Sequence, residues 1–226
     1  MKLVLDGATD ARREPTNRCI PINRRQAIRR FGWVSLMVLA ALVSTYAALV
    51  LFVPSFGAPF MTVLWQLAPW AVAAHLLGGA LALVLGPWQL NGRLRARAIG
   101  VHRWLGRGYV VAVVVGSLGA LVLAPMSQEG LVTHVGFGLL AVLWLLATVQ
   151  AYRSIRARDL ESHRRWMIRS FAMTLAAVTL RIYLPLALSL GIAFHDAYQV
   201  VSWLCWVPNL VVAEWLVLNS QALKSR

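Results

Sequence analysis

The sequence predicts an all-α integral membrane protein, a bundle of six transmembrane helices. Three observations lead to this fold class: 59% of the 226 residues are hydrophobic, only 13% are charged, and the charges lie between long apolar runs. Globular domains carry about 25% charged residues, so a soluble fold is excluded. The apolar content also excludes a disordered chain. Two cysteines are too few for a disulfide-stabilised scaffold.

Each transmembrane helix is predicted from a charge-poor stretch between charged or turn-forming residues. Residues 31–92 contain no Lys, Arg, Asp or Glu, which is enough length for two crossings of about 20 residues each. The segment Pro54–Pro59 contains Pro and Gly and divides this stretch into two helices. Charged segments separate the four helices that follow. The six helices are expected at about 31–53, 63–90, 103–126, 131–152, 168–192 and 197–219.

The positions of Lys and Arg predict the orientation in the membrane. A basic tail, residues 1–30, precedes the six-helix domain, residues 31–220, and a short C-terminus, residues 221–226, follows it. Together with the loops 91–107 and 153–169, these termini hold 21 of the 22 Lys and Arg residues. Because six crossings place all four segments on one side, the positive-inside rule predicts that both termini are cytoplasmic, in the cell (inner) membrane.

The net charge of +14 could also indicate a nucleic-acid-binding protein. The basic residues are confined to short clusters at the ends of apolar runs, however, and do not cover one face of a domain. This distribution is typical of topology determinants beside a lipid bilayer. We therefore expect the bilayer, and no nucleic acid, as the partner of these charges.

An internal repeat relates two helical hairpins of the predicted bundle. Residues 94–103 align without gaps onto residues 155–164, at an offset of 61, and both segments contain Arg-Ala-Arg and end in His-Arg. A His-x-x-x-Gly motif in the second predicted helix aligns onto the same motif in the fourth, at an offset of 59. Because equivalent helices run in the same direction, the repeat is parallel, with an axis along the membrane normal. Helices two to five then form a pseudo-two-fold four-helix core.

Four of the five histidines occupy equivalent points of the two repeats. The axis pairs them into an outer layer and an inner layer, in which each imidazole faces its equivalent across the bundle. Opposed neutral imidazoles are the axial ligands that a b-type haem requires, and a porphyrin between helices needs small residues beside it. The pattern predicts haem b, two per chain, with these iron ligands: His75 and His134 outside, His102 and His163 inside. His195, beside Asp196 in a loop, has no equivalent and is expected to be solvated.

Glycines near these histidines match that need for small residues. Several lie four residues after a histidine and hence on the same helical face, and others lie close by. The alternative is that they serve ordinary contacts between membrane helices. The glycines concerned are Gly78, Gly79, Gly106, Gly116, Gly119 and Gly138.

Arg181 is a basic residue near the middle of the fifth predicted helix. A buried arginine needs an anionic partner, and Glu214 is the acidic residue of the sixth helix. Their depths differ by roughly 10 Å at 1.5 Å per residue, so a haem propionate at the outer site is the better-placed partner. A structural contact with Glu214 or with a backbone carbonyl is the alternative. The sequence therefore adds Arg181 to the predicted cofactor-binding residues.

Several motifs resemble those of a bacterial family of multi-pass membrane proteins, the DUF2306-like family, which is catalogued as a domain of unknown function. The resemblance covers about residues 64–218 and implies no activity. A second, architectural resemblance is to the di-haem cytochrome b-561 proteins, which have six helices with haem-ligating histidines on helices two to five. The spacings between the histidines are shorter here. The motifs that carry the family resemblance are His102–Arg107, His163–Ser170, Leu180–Pro185 and Trp203–Asn209.

The leading hypothesis is a transmembrane oxidoreductase in which two b-type haems carry electrons across the bilayer. Its electron donor would be an anionic small molecule or a quinol, and basic residues of the cytoplasmic loops could attract an anion. The main alternative is a haem-free transporter or small-molecule-binding protein that uses Arg181, Glu214 and the intramembrane histidines. A second alternative is a structural or partner subunit without chemistry. The sequence alone leaves all three hypotheses open.

Overall fold

The computed structural model describes residues 24–222, and every regular element in this range is helical. Six helical segments are long and apolar enough to cross a membrane, which confirms the predicted all-α bundle of six transmembrane helices. The predicted tail lies mostly outside the described residues, as do residues 223–226. The six segments are Arg30–Phe52, Pro69–Gln89, Ile99–Met126, Leu131–Arg156, Leu160–Ser189 and Phe194–Asn219.

The first three helices differ from the prediction at one break. The predicted second helix is divided into a short helix and a spanning helix, because the residue before a proline is disfavoured in the α region. Ala68, which precedes Pro69, has φ −149° and ψ 67°. The helices are α1 (Arg24–Phe52), α2 (Pro59–Leu67) and α3 (Pro69–Gln89).

Of the next three helices, the first and the third begin at recognisable signals. The Asn91 side chain accepts hydrogen bonds from the backbone N–H groups of Arg93 and Leu94 and so caps α4. Gly130, with φ +87°, precedes α6 in a conformation that favours glycine. The helices are α4 (Gly92–Arg97), α5 (Ile99–Leu123) and α6 (Leu131–Arg156).

The last two spans are each broken near their middle. Thr174 and Thr179 hydrogen-bond to the carbonyls four residues before them, at either side of Leu175, and such bonds bend helices. The Asp159 carboxylate caps the helix that begins at Leu160 by accepting a hydrogen bond from the Ser162 N–H. This hydrogen bond lowers the pKa of Asp159. The helices are α7 (Leu160–Thr174), α8 (Ala176–Ser189), α9 (Phe194–Leu204) and α10 (Val207–Ala222).

The bundle has two ends, which are named here by their loops. The basic end carries the segments 90–98 and 157–159, and the far end carries the segments 53–68, 124–130 and 190–193. Between them, the outward-facing side chains are mostly large and apolar, as a surface in contact with lipid requires. Exposed examples include Leu42, Leu49, Ile182 and Leu186.

Glycines bring α3 and α5 into close contact. A Cβ atom on Gly78 would lie 2.4 Å from the backbone nitrogen of Gly116, and one on Gly119 would lie 2.6 Å from the Ala71 carbonyl oxygen. Small residues allow this approach of two membrane helices. These three glycines therefore serve the helix contact, and the predicted role of giving a porphyrin room does not apply to them.

The two repeats meet in the centre of the bundle. The Tyr109 hydroxyl on α5 hydrogen-bonds to the Ser170 hydroxyl on α7, at 2.8 Å. The two residues are 61 positions apart, the same offset that relates the repeats in the sequence. A contact between equivalent positions is expected where a pseudo-two-fold axis passes between two helices, so this bond agrees with the parallel repeat.

Candidate functional site

A large cavity lies in the half of the bundle nearer the far end. Its volume is about 620 Å³, and residues of α3 and α6 line it together with residues of α1 and α8. Binding sites for small molecules are typically apolar cavities of about 300–1,000 Å³ with a few polar groups. Most of the lining is apolar and includes Leu76, Leu83, Leu123, Phe137, Leu180 and Leu184.

His75 supplies one of the polar groups in this cavity. Its Nδ1–H donates to the Gly116 carbonyl at 3.1 Å, and a carbonyl oxygen can only accept. The neutral ring then carries its lone pair on Nε2, the tautomer that metal-ligating histidines commonly use. His75 can therefore accept a hydrogen bond or bind a metal through Nε2.

Arg181 supplies the positive charge of the cavity. One terminal nitrogen donates to the Ala177 carbonyl at 2.9 Å, and the guanidinium lies over the Tyr46 ring, 5.1 Å from its centroid. The Nε atom is buried and has no hydrogen-bond partner in the part of the chain that the structure describes. Because a buried charge is costly without a counter-charge, Arg181 has an unused capacity to bind an anion.

The structure does not pair Arg181 with Glu214. Glu214 binds Arg169 instead, through hydrogen bonds of 2.5 and 2.8 Å to the guanidinium, and the Trp166 ring lies under Arg169 at 4.6 Å. Both partners lie in the half of the bundle nearer the basic end, which the difference in depth already indicated. Of the two structural alternatives for Arg181, the contact with a backbone carbonyl is the one observed.

His134 lies close to the cavity and does not line it. Phe137 and Ala141, three and seven residues later on α6, face the cavity, so His134 is on the same side of the helix, one turn nearer the far end. Its Nε2–H donates to the Ser127 carbonyl at 2.6 Å. His75 and His134 thus lie on the two helices that flank the cavity, and the structure shows no contact between their rings.

His102 and His163 both lie near the basic end. Each is the fourth residue of its helix, His102 in α5 and His163 in α7. The His163 Nδ1–H donates to the Ala151 carbonyl at 2.9 Å, which leaves Nε2 free in the same way as in His75. The His102 Nδ1 is buried without a hydrogen-bond partner among residues 24–222.

The far end also contains a polar cluster that the sequence did not predict. His195 Nδ1 lies 2.7 Å from a carboxylate oxygen of Glu129, and the Gln199 amide donates to the Glu129 carbonyl at 2.9 Å. The His195 side chain is 58% exposed, so it is solvated as expected and is also bonded. Glu129 lines the cavity, and the cluster holds its loop against α9.

The sequence also did not predict a network of buried hydroxyl groups in the centre of the bundle. Tyr109 bonds to Ser170 and Thr174, Thr148 bonds to Ser170, and the Trp144 indole N–H donates to Thr174. Trp144 and Thr174 line the cavity. In the sequence, these residues appear only as small polar residues inside apolar helices. Which of them bond to one another depends on how α5, α6 and α7 pack.

A metal site formed by protein side chains alone requires several ligating groups close together. Among the described residues, no group of three or more His, Cys, Asp or Glu side chains could hold a metal ion. Cys205 is a free, buried thiol that lines the cavity. The other cysteine, Cys19, lies outside the described residues.

Six spanning helices around an internal cavity define a multi-pass α-helical membrane protein. Over residues 72–217, the sequence matches the family described as Predicted membrane protein (DUF2306). The protein belongs to this family, which confirms the resemblance found in its sequence motifs. The matched range includes all four histidines of the repeat and Arg181. No curated protein and no solved structure gives a significant match.

Proposed function

We propose that the protein is a membrane-embedded small-molecule-binding protein whose cavity takes an apolar molecule with an acidic group. The observation that carries this proposal is the unpaired Arg181 Nε in the wall of an apolar cavity of about 620 Å³. An arginine within the hydrocarbon region costs about 2.5–3.5 kcal/mol on translocon-insertion scales. Glu129, the carboxylate of the lining, is bonded to His195, so a ligand anion would supply the counter-charge that Arg181 does not receive from the described residues.

The lining specifies further features of this ligand. The body of the molecule must be apolar, because leucine, alanine and aromatic side chains form most of the wall. One guanidinium in the cavity suits one acidic group, which a charge-assisted hydrogen bond would hold. His75 presents a lone pair on Nε2 and would accept a hydrogen bond from a hydroxyl group or bind a metal. A lipid-soluble carboxylic acid that also carries a hydroxyl group has this chemistry, whereas a quinol would donate to His75 and supply no negative charge for Arg181.

Haem b is the second candidate, because it combines an apolar ring with acidic propionates and an iron that binds imidazole. Two observations favour it: His75 and His163 both direct Nδ1–H at a backbone carbonyl, and the cavity lies between the helices that carry His75 and His134. Arg181 would bind a propionate. His134 fits less well, because its Nε2 is hydrogen-bonded to Ser127 and would have to turn. Bound haem would supply one-electron chemistry and hence the predicted transmembrane electron transfer.

A structural subunit without a ligand is the weaker alternative. Contacts between helices need neither a cavity of this size nor an unpaired guanidinium, and an apolar residue in place of Arg181 would serve packing better.

With the cytoplasmic termini that the basic loops predict, the cavity lies in the half of the membrane away from the cytoplasm.

The test is to identify what purifies with the protein. Protein in mild detergent is examined for the absorbance of reduced b-type haem, and bound small molecules are extracted and identified by mass spectrometry. We expect an acidic apolar molecule in the wild type and its loss in Arg181→Met. The matched control is Arg164→Met, which removes an exposed arginine at the basic end. Haem absorbance would establish the second candidate, and equal contents in all three proteins would contradict the binding role of Arg181.

A further inference from the structure

We infer that the cavity is entered sideways, from the lipid bilayer, through an opening between α1 and α8. This inference rests on the proposed function and adds the source of the ligand: a monoanionic apolar molecule dissolved in the membrane.

Three residues of the cavity lining are exposed: Gln128 lies in the far-end loop, whereas Tyr46 and Pro185 lie on membrane-spanning helices. Tyr46 on α1 is 38% exposed and Pro185 on α8 is exposed, and both line the cavity. Since each residue faces the cavity and the exterior at once, the wall is open or thin between them. The opening therefore lies at the α1–α8 boundary.

The surface around this opening faces hydrocarbon. Leu42 and Leu49 on α1 and Ile182 and Leu186 on α8 are large, exposed apolar residues next to it in sequence. Tyr46 is six residues before the end of α1, about 9 Å along the helix, whereas the hydrocarbon core is about 30 Å thick. The opening thus lies within the depth of the acyl chains.

The routes from water are more obstructed. At the far end, the polar loop that carries the exposed Gln128 lies over the cavity, and its Glu129 is bonded to Gln199 and His195. Toward the basic end, the Trp144 indole is bonded to Thr174, and the fully buried Tyr109 lies behind them. An apolar molecule that arrives from water would have to pass this polar loop or displace the buried network, whereas the α1–α8 boundary is bordered by apolar side chains.

Tyr46 and Arg181 together give the opening its selectivity. The guanidinium lies over the Tyr46 ring, so an entering molecule that passes Tyr46 meets a cation directly beside it. A carboxylate or a phosphate on an apolar chain would be attracted there, while its chain stays in the lipid or fills the cavity. Free fatty acids and anionic phospholipids share this head-group chemistry.

The test uses a diazirine-bearing palmitate as the probe. Full-length protein in phosphatidylcholine vesicles receives the probe, is irradiated after increasing times, and is digested to map the cross-links. We expect cross-links to residues of the cavity lining on α1 and α8, lost in Arg181→Met. Tyr46→Ala should accelerate their appearance several-fold, whereas the control Leu42→Ala, on the same helix but outside the lining, should not.

Competition distinguishes the two sources of the anionic head. Unlabelled palmitate should abolish cavity cross-links if the site takes free fatty acids, and phosphatidylglycerol should do so if it takes phospholipids. Either result supports entry from the bilayer when Tyr46→Ala accelerates labelling.

Three results would overturn the inference. Cavity cross-links that depend on Arg181 but whose rate is unchanged in Tyr46→Ala would overturn the lateral opening alone. Cross-links spread evenly over the lipid-facing surface and insensitive to Arg181→Met would overturn the proposed function as well. Competition by neither lipid would exclude a membrane-dissolved anion as the ligand.

Discussion

Replacing Arg181 by methionine separates a binding role from a structural role. The substitution keeps an unbranched side chain and removes the charge. In the native protein, the burial cost of about 2.5–3.5 kcal/mol is opposed by a charged hydrogen bond to Ala177, about 1.5–3 kcal/mol, and by the Tyr46 ring, about 0.5–2 kcal/mol. These contributions nearly cancel, so Arg181→Met should change the free energy of unfolding by no more than about 1 kcal/mol.

The affinity for the ligand should respond very differently. A hydrogen bond from the guanidinium to an anion is worth about 1.5–3 kcal/mol, which corresponds to a loss of about 10- to 150-fold in affinity. Affinity is measured with radiolabelled palmitate in detergent, and stability by titration with a denaturing detergent followed by circular dichroism. The combination of near-normal stability and weak binding is the expected result.

Arg169→Met is the matched control, because it removes an arginine that has a carboxylate partner. It leaves Glu214 unpaired and removes the contact with Trp166, so stability should fall by about 1 kcal/mol while affinity stays unchanged. If Arg181→Met instead lost several kcal/mol of stability and kept its affinity, Arg181 would be structural and the reasoning about its unpaired Nε would be refuted.

Three further predictions concern packing, haem and topology. Gly78→Ala should destabilise the protein by about 1–3 kcal/mol through overpacking, while Gly79→Ala, where a Cβ meets nothing within 4 Å, should not; equal unfolding midpoints would contradict the close α3–α5 contact. If haem b is bound, His75→Ala and His134→Ala should each abolish the same absorbance bands and the double mutant should be no worse; different spectra of the two single mutants would exclude a shared iron. Reporter fusions in the loops of the basic end should report the cytoplasm and those in the far-end loops the outside; the reverse pattern would disprove cytoplasmic termini.

The sequence predicted six spans from two kinds of boundary. Charged residues are costly in the hydrocarbon region and delimit most of the spans, and the Pro- and Gly-containing segment Pro54–Pro59 separates the first two. The breaks at Ala68 and Leu175 were missed for a different reason. Apolar periodicity continues through them, and the proline and threonine effects that cause them change the backbone without changing hydropathy.

The repeat shows how far a pattern in the sequence can reach. The offset of 61 implied an axis between equivalent helices, and Tyr109 and Ser170 meet with that spacing. His102 and His163, at the same offset, each occupy the fourth position of their helix, α5 and α7. His75 and His134 lie on two helices that line the cavity, and the pattern did not show that His134 bonds to Ser127. Their role as haem ligands stays a prediction.

The sequence by itself determined the composition of the site: an arginine and a histidine within spans that otherwise lack charge. Depth along a helix follows from counting residues at 1.5 Å each, which is why Glu214 was already a distant partner for Arg181. Only the tertiary structure decided which way each side chain faces and which atoms stay unpaired. Rotation about a helix axis is set by packing against neighbouring helices, here by the glycine contact of α3 with α5. That packing leaves a cavity beside His75 and Arg181. No local pattern in the sequence predicts this cavity, because it is formed by residues from several helices.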